Sequence, residues 1–433
     1  MQYYSLNGKA PEVDFKEAVI RGIAPDKGLY FPEEIPVLPD SFWQGLHQLS
    51  TEEIAFSLMN PFAGACIPEG QLRRILEESL NFDFPLVQVD QGVFALELYH
   101  GPTMAFKDVG SRFMARCLGY FTKGSDEEIT VLVATSGDTG GAVAHGFLGV
   151  PGVQVVILYP EGKVSDVQER QLTTLGQNIR ALRVRGTFDD CQRMVKQAFL
   201  DGELLQAMRL TSANSINVAR WLPQMIYYVL AFKQLGAGSK PPVFSVPSGN
   251  FGNICAGMLA YKMGLPCAHF IAATNANDTV PRFMETQAYA PRPAVPTISN
   301  AMDVADPSNF VRIRQLFENR YPELQARLDA SSYSDAQTRR AMKELKATHG
   351  YLADPHGAVG YLGLKDFLAS HPGHPGIFLE TAHPIKFRPE VESCLNLRLE
   401  LPAQIQAIMD RKKESVPVSE YDEVKSYLLK SIR

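Results

Sequence analysis

Cysteine is scarce and scattered. The 433-residue chain has six, Cys66, Cys117, Cys191, Cys255, Cys267 and Cys394, with no Cys-x-x-Cys pair. That argues against a disulfide framework and a structural zinc site, and fits reduced, mostly buried thiols in a cytoplasmic protein. An excess of positive charge is also missing: 42 Lys and Arg stand against 47 Asp and Glu, a net charge of −5. The chain therefore carries no basic footprint for nucleic acid and no polybasic patch for a membrane surface. No apolar run approaches the roughly 18 residues of a membrane span. The opening "MQYYSLNGKAPEVDF" lacks the basic-then-apolar profile of a signal peptide. There is no G-x-x-x-x-G-K-[ST] for a Walker nucleotide site, and neither Ser136 nor Ser248 sits in the G-x-S-x-G of a hydrolase elbow.

What remains is an ordinary globular mix, 45% apolar and 21% charged, long enough for two or three domains. Residues 1–92 read as a separate N-terminal lobe, helical and irregular, with the Pro-rich stretch "LYFPEEIPVLPDSF". Beyond it, β-rich runs ("VFALELY", "ITVLVA", "VQVVILY", "NIRALRVR", "PVFSVP", "HFIAAT", "GIFLET") alternate with helical stretches. This predicts βαβ units and mostly parallel sheets, an α/β fold in two lobes. The expected division is a large domain from 93–128 and 220–395, a small domain over 129–219, and a helical C-terminal extension over 396–433. Thr187 and Asp190 match a capping box, and "SYSDAQTRRAMKELKATHG" predicts an exposed helix ended by Gly350. The polar, Pro-rich passage 281–309 is long for a simple connection and reads either as a binding element or lid, or as a surface excursion.

Two stretches share one design. "VLVATSGDTGGAVAHG" and "VFSVPSGNFGNICAG" are each a buried strand, a Ser-Gly-Asp/Asn-x-Gly turn and a small-residue helix. Such turns aim backbone N–H groups and the positive helix end at one spot, which suits an anion such as phosphate. A dinucleotide reading, with Glu161 as the ribose acid, is the weaker alternative because "SGDTGG" does not match G-x-G-x-x-G. Lys107 raises a different question. It falls in the first turn of a predicted helix, where the macrodipole opposes a cation, and burial would favour its neutral amine. A lysine so placed is a nucleophile for an aldehyde. The plainer alternative is a lysine that snorkels to solvent beside Asp108. Among lesser candidates, Lys163 reads as a solvated loop lysine, His100 and His383 as hydrogen-bonded structural histidines. Asn275, Asn277 and Asp278 could hold a ligand or brace a loop.

Taken in order, "HGPTMAFKD", "ATSGDTGGA", "ANSINVAR", "PSGNFG" and "TAHPIKF" resemble the threonine synthase family, in its longer form with an N-terminal lobe that includes "GLYFP". The resemblance runs from the first residues to at least residue 390. It implies a fold type II pyridoxal phosphate enzyme, similar to the tryptophan synthase β subunit in its two lobes, that makes threonine from O-phosphohomoserine and water by γ-elimination and β-addition. It further implies that Lys107 forms the Schiff base and that Gly249, Asn250, Phe251 and Gly252 bind the cofactor phosphate. Thr381 would face the pyridine nitrogen. Asp138 would face the phenolic oxygen, where related enzymes often have Asn; a carboxyl there fits only if one proton is shared between the two oxygens. Asn214, Ser215 and Arg220 would hold the substrate phosphate, with Ser136 and Thr139 close to the substrate. The alternatives are another fold type II lyase acting on a phosphorylated or hydroxy amino acid, or a catalytically idle ligand-binding relative. The expected partner is the small-molecule substrate, with no metal, for a monomer or small homo-oligomer.

Overall fold

A computed structural model describes residues 1–124 and 128–430. Two sheets organise it. The larger has six strands in the order Leu328–Ser332, His269–Thr274, Val243–Pro247, Gly376–Glu380, Val93–Glu97 and Leu86–Asp90. Every pairing in it is parallel except that of Leu86–Asp90 with Val93–Glu97. The smaller has five parallel strands, Val416–Val418, Ile179–Val184, Val153–Pro160, Ile129–Ala134 and Arg209–Ser212. The runs "ITVLVA" and "VFSVP" are buried at every position. Unbroken burial of this kind belongs to parallel strands with helices on both faces, where an alternating pattern would leave one face dry and one wet. The α/β expectation is met.

The first 80 residues form helices, among them Thr51–Ala63 with its Ser50–Glu53 capping box, and a two-strand ribbon of Tyr3–Ser5 with Tyr30–Pro32. This segment does not stand off from the rest. The carbonyl of Val19 accepts from Thr211 Oγ1 and Asn217 Nδ2, and one apolar core runs from Tyr3 and Phe15 through Phe113 and Trp221 to Phe244 and Phe270. Thr187 and Asp190 do form a capping box, and Gly350 closes the helix Asp335–His349 in the left-handed conformation.

Two expectations need amending. The tail beyond 396 is not purely helical: between the helices Ala403–Met409 and Tyr421–Lys430, Val416–Val418 adds a strand to the edge of the smaller sheet beside Ile179–Val184. Pro417 sits on that edge, where a residue without an N–H is tolerated. The passage 281–309 opens inside the helix Thr279–Thr286 and contains a 3-10 turn at Asn300–Met302. A polar knot ties it down. Asp303 accepts from Asn275 Nδ2 at 2.9 Å, Asn277 Nδ2 at 3.2 Å, and Thr297 Oγ1 and N at 2.7 and 3.0 Å. Asn275 and Asn277 therefore brace this passage.

A candidate active site at the strand ends

Parallel strands deliver their C-terminal ends to one edge, and the candidate residues follow those ends in both sheets. After Val93–Glu97 the chain turns at "HGPT". Phe106 N donates to the Thr381 carbonyl at 2.9 Å, and Ala105 bridges Ala382. This short pairing sets the helix Lys107–Phe121 beside the end of Gly376–Glu380. Lys107 is the first residue of its helix, within the first turn that the sequence predicted. Burial lowers the pKa of its amine; Asp138 pulls it up, Lys386 and Arg220 push it down, and the net direction is down. Its side chain keeps 17% exposure, so it is largely desolvated without being sealed off completely.

The two glycine turns reach their shape differently. In the first, Gly137 has φ +136, and a Cβ there would lie 2.4 Å from the Gln168 amide carbon. Thr135 Oγ1 accepts from the N–H groups of Gly137 and Gly140 at 2.9 and 2.8 Å, and the helix Asp138–Phe147 follows. In the second, the left-handed residue is Phe251, which precedes the helix Gly252–Lys262. Gly249 is needed for closeness: a Cβ would lie 2.7 Å from Met302 Cα.

Asn250 joins the second turn to its neighbours. Its Nδ2 donates to Ser215 Oγ at 2.6 Å, and its Oδ1 accepts from Ser308 N at 2.6 Å. Asn309 Nδ2 also donates to Ser215 Oγ, at 3.1 Å, and Asn214 Nδ2 reaches the Ala134 carbonyl at 3.1 Å, joining the loop after Arg209–Ser212 to the first turn. Lys107, Asp138, Asn214, Ser215, Asn250 and Thr381 are thus linked through contacts of neighbouring loops. Ser136, Thr139, Asn214, Ser215, Gly249 and Asn250 are half-buried, as a cleft wall requires, while Phe251, Gly252 and Thr381 are buried.

The electrostatics are lopsided. Asp138 is buried, which disfavours its charge, but Lys386, Lys107 and a hydrogen bond from Gln168 outweigh burial and hold its carboxyl well below the usual range. Asp138 is ion-paired to Lys386 at 2.9 Å. Arg220, 3% exposed, donates to the Ala213 carbonyl while its buried Nε has no partner. Burial brings its pKa down to about 10, so the guanidinium stays charged. Asn253, in the first turn of the helix after the second glycine turn, also has a buried and unpartnered amide nitrogen. Buried donors without acceptors are costly. An acceptor supplied from outside the chain would relieve each of them.

Sequence reasoning missed Lys386, Gln168 and Arg312. Lys386 lies inside "TAHPIKF", between Ile385 and Phe387, and that apolar setting was the one local sign that it is buried. Arg312 is fully buried and binds the carbonyls of Tyr30, Ser215 and Ile216; "NFVRIRQL" carries no mark distinguishing it from a surface arginine. The weaker candidates resolve simply. Glu161 pairs with Arg183 at 3.2 Å, which accounts for it without a ribose. Lys163 is exposed. His100 bonds Glu97 at 2.8 Å, and His383 caps the turn Pro384–Phe387 by accepting from Ile385 N at 3.1 Å. Among the described residues no group of three or more His, Cys, Asp or Glu could hold a metal, and no helix is long and apolar enough to cross a membrane.

A family model described as pyridoxal-phosphate dependent enzyme matches residues 78–376; those for the threonine synthase N terminus and C-terminal region match 2–80 and 357–428. The chain is 43% identical to a threonine synthase of Haemophilus influenzae over 438 residues, covering all of both chains. Among solved structures it matches threonine synthase from Escherichia coli with a TM-score of 0.94 at 42% identity, and a threonine synthase with bound pyridoxal phosphate from Brucella melitensis with a TM-score of 0.92 at 36% identity, each over the whole of both chains.

Proposed function

The chain belongs to the threonine synthase family of pyridoxal-phosphate-dependent enzymes, and on that premise we propose that it binds the cofactor through Lys107 and converts O-phosphohomoserine and water to threonine and phosphate. The observation that carries the proposal is the grouping of a largely desolvated Lys107 with a buried Arg220 whose Nε lacks an acceptor.

Gly249, Asn250, Phe251 and Gly252, with the start of the helix Gly252–Lys262, would hold the cofactor phosphate; Thr381, at the end of the strand Gly376–Glu380, would offer its hydroxyl to the pyridine nitrogen. Asp138 would lie on the side of the phenolic oxygen, its charge balanced by Lys386. Bound there, pyridoxal phosphate supplies an electron sink for negative charge developing at the substrate's Cα.

The rest is done by the chain. Freed by substrate, the Lys107 amine would serve as a general base, first at Cα and then at Cβ. Arg220, with Asn214 and Ser215, holds the substrate phosphate and the charge that grows on it as the Cγ–O bond breaks. Ser136 and Thr139 line the substrate's side of the cleft. The proton taken from Cβ would go to Cγ, which becomes the methyl group; the hydroxyl of water would then add at Cβ, its proton going to the departed phosphate, and a proton returned to Cα would complete threonine. The braced passage 281–309 and the N-terminal segment, which both reach the loops holding Ser215 and Asn250, keep other water out.

A lyase of unphosphorylated amino acids would have no use for Arg220 in "NSINVAR", and an idle relative would not keep Lys107 desolvated. Phosphate release from O-phosphohomoserine, with threonine formed in equal amount, is the test; turnover of serine or threonine without that activity would favour the other lyase. We place this work of amino-acid biosynthesis in the cytoplasm, in a monomer or small homo-oligomer that acts without nucleic acid or membrane.

A further inference from the structure

Lys386 has an ammonium with nowhere to go. It is 0% exposed, and its Nζ donates to Asp138 Oδ1 at 2.9 Å, the Thr103 carbonyl at 2.8 Å and Gln171 Oε1 at 2.9 Å. An ammonium has three N–H groups, so all are spent inside the protein and none is left for a ligand. Thr103 extends the network, since its N and Oγ1 both donate to the buried Asp108. Asp138 divides its oxygens. Oδ1 accepts from Lys386 and from Gln168 Nε2 at 3.0 Å, whereas Oδ2 lies 3.9 Å from Lys107 Nζ. Gln168 is itself locked, because its Oε1 accepts from Ser165 N in a capping box.

Two lysines therefore flank one buried carboxylate, and only one of them is fixed. A buried carboxylate with a single cation beside it holds that cation charged. Without Lys386, Asp138 would keep Lys107 as an ammonium, which cannot attack an aldehyde. We propose that Lys386 is a positioning residue, whose fixed charge balances Asp138 so that the carboxylate orients the Lys107 amine without keeping it protonated. This deepens the reading of Lys107 as the cofactor lysine and rests on it.

The other charges near Lys107 are Arg220 and Asp354. Those that feel Lys386 at longer range are Asp108, His145 and His383. None of these contacts Asp138 as Lys386 does. A purely structural bridge between the turn Pro384–Phe387 and the helix Asp138–Phe147 would stabilise the fold but leave the titration of Lys107 where it is.

The test follows capture of pyridoxal phosphate by the cofactor-free full-length protein. The rate at which the bound-cofactor absorbance appears is measured across pH, and borohydride reduction with peptide mapping identifies the modified lysine. In Lys386→Gln the pH midpoint of capture should rise by about one unit, so that capture near neutrality is about tenfold slower and recovers at higher pH. Lys386→Arg, which keeps the charge, should stay near the wild-type midpoint. A Lys386→Gln protein that captures the cofactor at the wild-type rate, or more slowly at every pH with an unmoved midpoint, overturns the proposal. Should the Lys386 variants fail to fold, Asp138→Asn decides: loss of an ionised carboxylate must move the midpoint down, and an unmoved or raised midpoint overturns the proposal. A wild-type protein that takes up no pyridoxal phosphate on Lys107 contradicts the functional reading itself, and this inference with it.

Discussion

Arg312 donates to the carbonyl of Tyr30 across 2.9 Å, although 282 residues separate them. The same guanidinium reaches the carbonyls of Ser215 and Ile216 and lies over the ring of Trp221, 4.5 Å from its centroid. One side chain thus fastens the N-terminal ribbon to the loop that carries Ser215. Burial brings its pKa down to about 10, which leaves it charged.

Arg312→Met fills similar space but leaves several buried carbonyls without a donor. Stability should fall by about 3 kcal/mol, since each stranded polar group costs about 1–3 kcal/mol. Urea unfolding measures this, and a loss within the noise of a surface substitution would mean that the fastening is not energetic.

Gly137→Ala meets two obstacles. Its φ of +136 is a region that L side chains rarely adopt, and the new Cβ would collide with the Gln168 amide. A strained backbone of this kind costs about 1–3 kcal/mol. The displaced Gln168 would also release Asp138, so cofactor affinity should drop together with stability. Thermal melting and cofactor titration on one sample check both; unchanged affinity would break the link between Gln168 and the site.

Arg220→Gln removes a buried charge from the proposed phosphate site. Truncating one partner of a buried charged contact costs about 2–5 kcal/mol, which is a loss of roughly 30-fold or more in kcat/KM for O-phosphohomoserine. Steady-state kinetics read it directly. An unchanged kcat/KM takes Arg220 out of the site.

Acid should destabilise the protein through two histidines. Burial, aided by nearby cations that include Lys386, brings both His145 and His383 from 6.5 to about 4. Folded, they bind protons less readily than unfolded, so the unfolded state holds more protons between those values. Their stabilising contribution is complete above about pH 6.5 and is lost as pH falls toward about 4. Urea midpoints across this range should fall with acid, and His145→Gln should flatten the fall. An identical slope in the variant would assign the acid sensitivity to other groups.

Much of this was legible in the sequence because the signals were local. "ITVLVA" and "VFSVP" announce buried parallel strands by unbroken apolar runs, and Lys107 announces itself by a cation where a helix start disfavours one. What stayed hidden depends on distant partners. Val416–Val418 becomes a strand only because the edge beside Ile179–Val184 is open to it. Arg312 gains meaning only from carbonyls nearly a hundred or more residues away. Asp138 could be named as a candidate through the family resemblance, but its ion pair could not, because Lys386 lies in a distant motif.

The central claim is that Lys107 is held ready for an aldehyde cofactor. Purified protein supplied with pyridoxal phosphate should absorb near the edge of the visible, lose that band on borohydride reduction, and carry the reduced cofactor on the peptide containing Lys107. A protein that stays colourless, or one labelled on a different lysine, contradicts it.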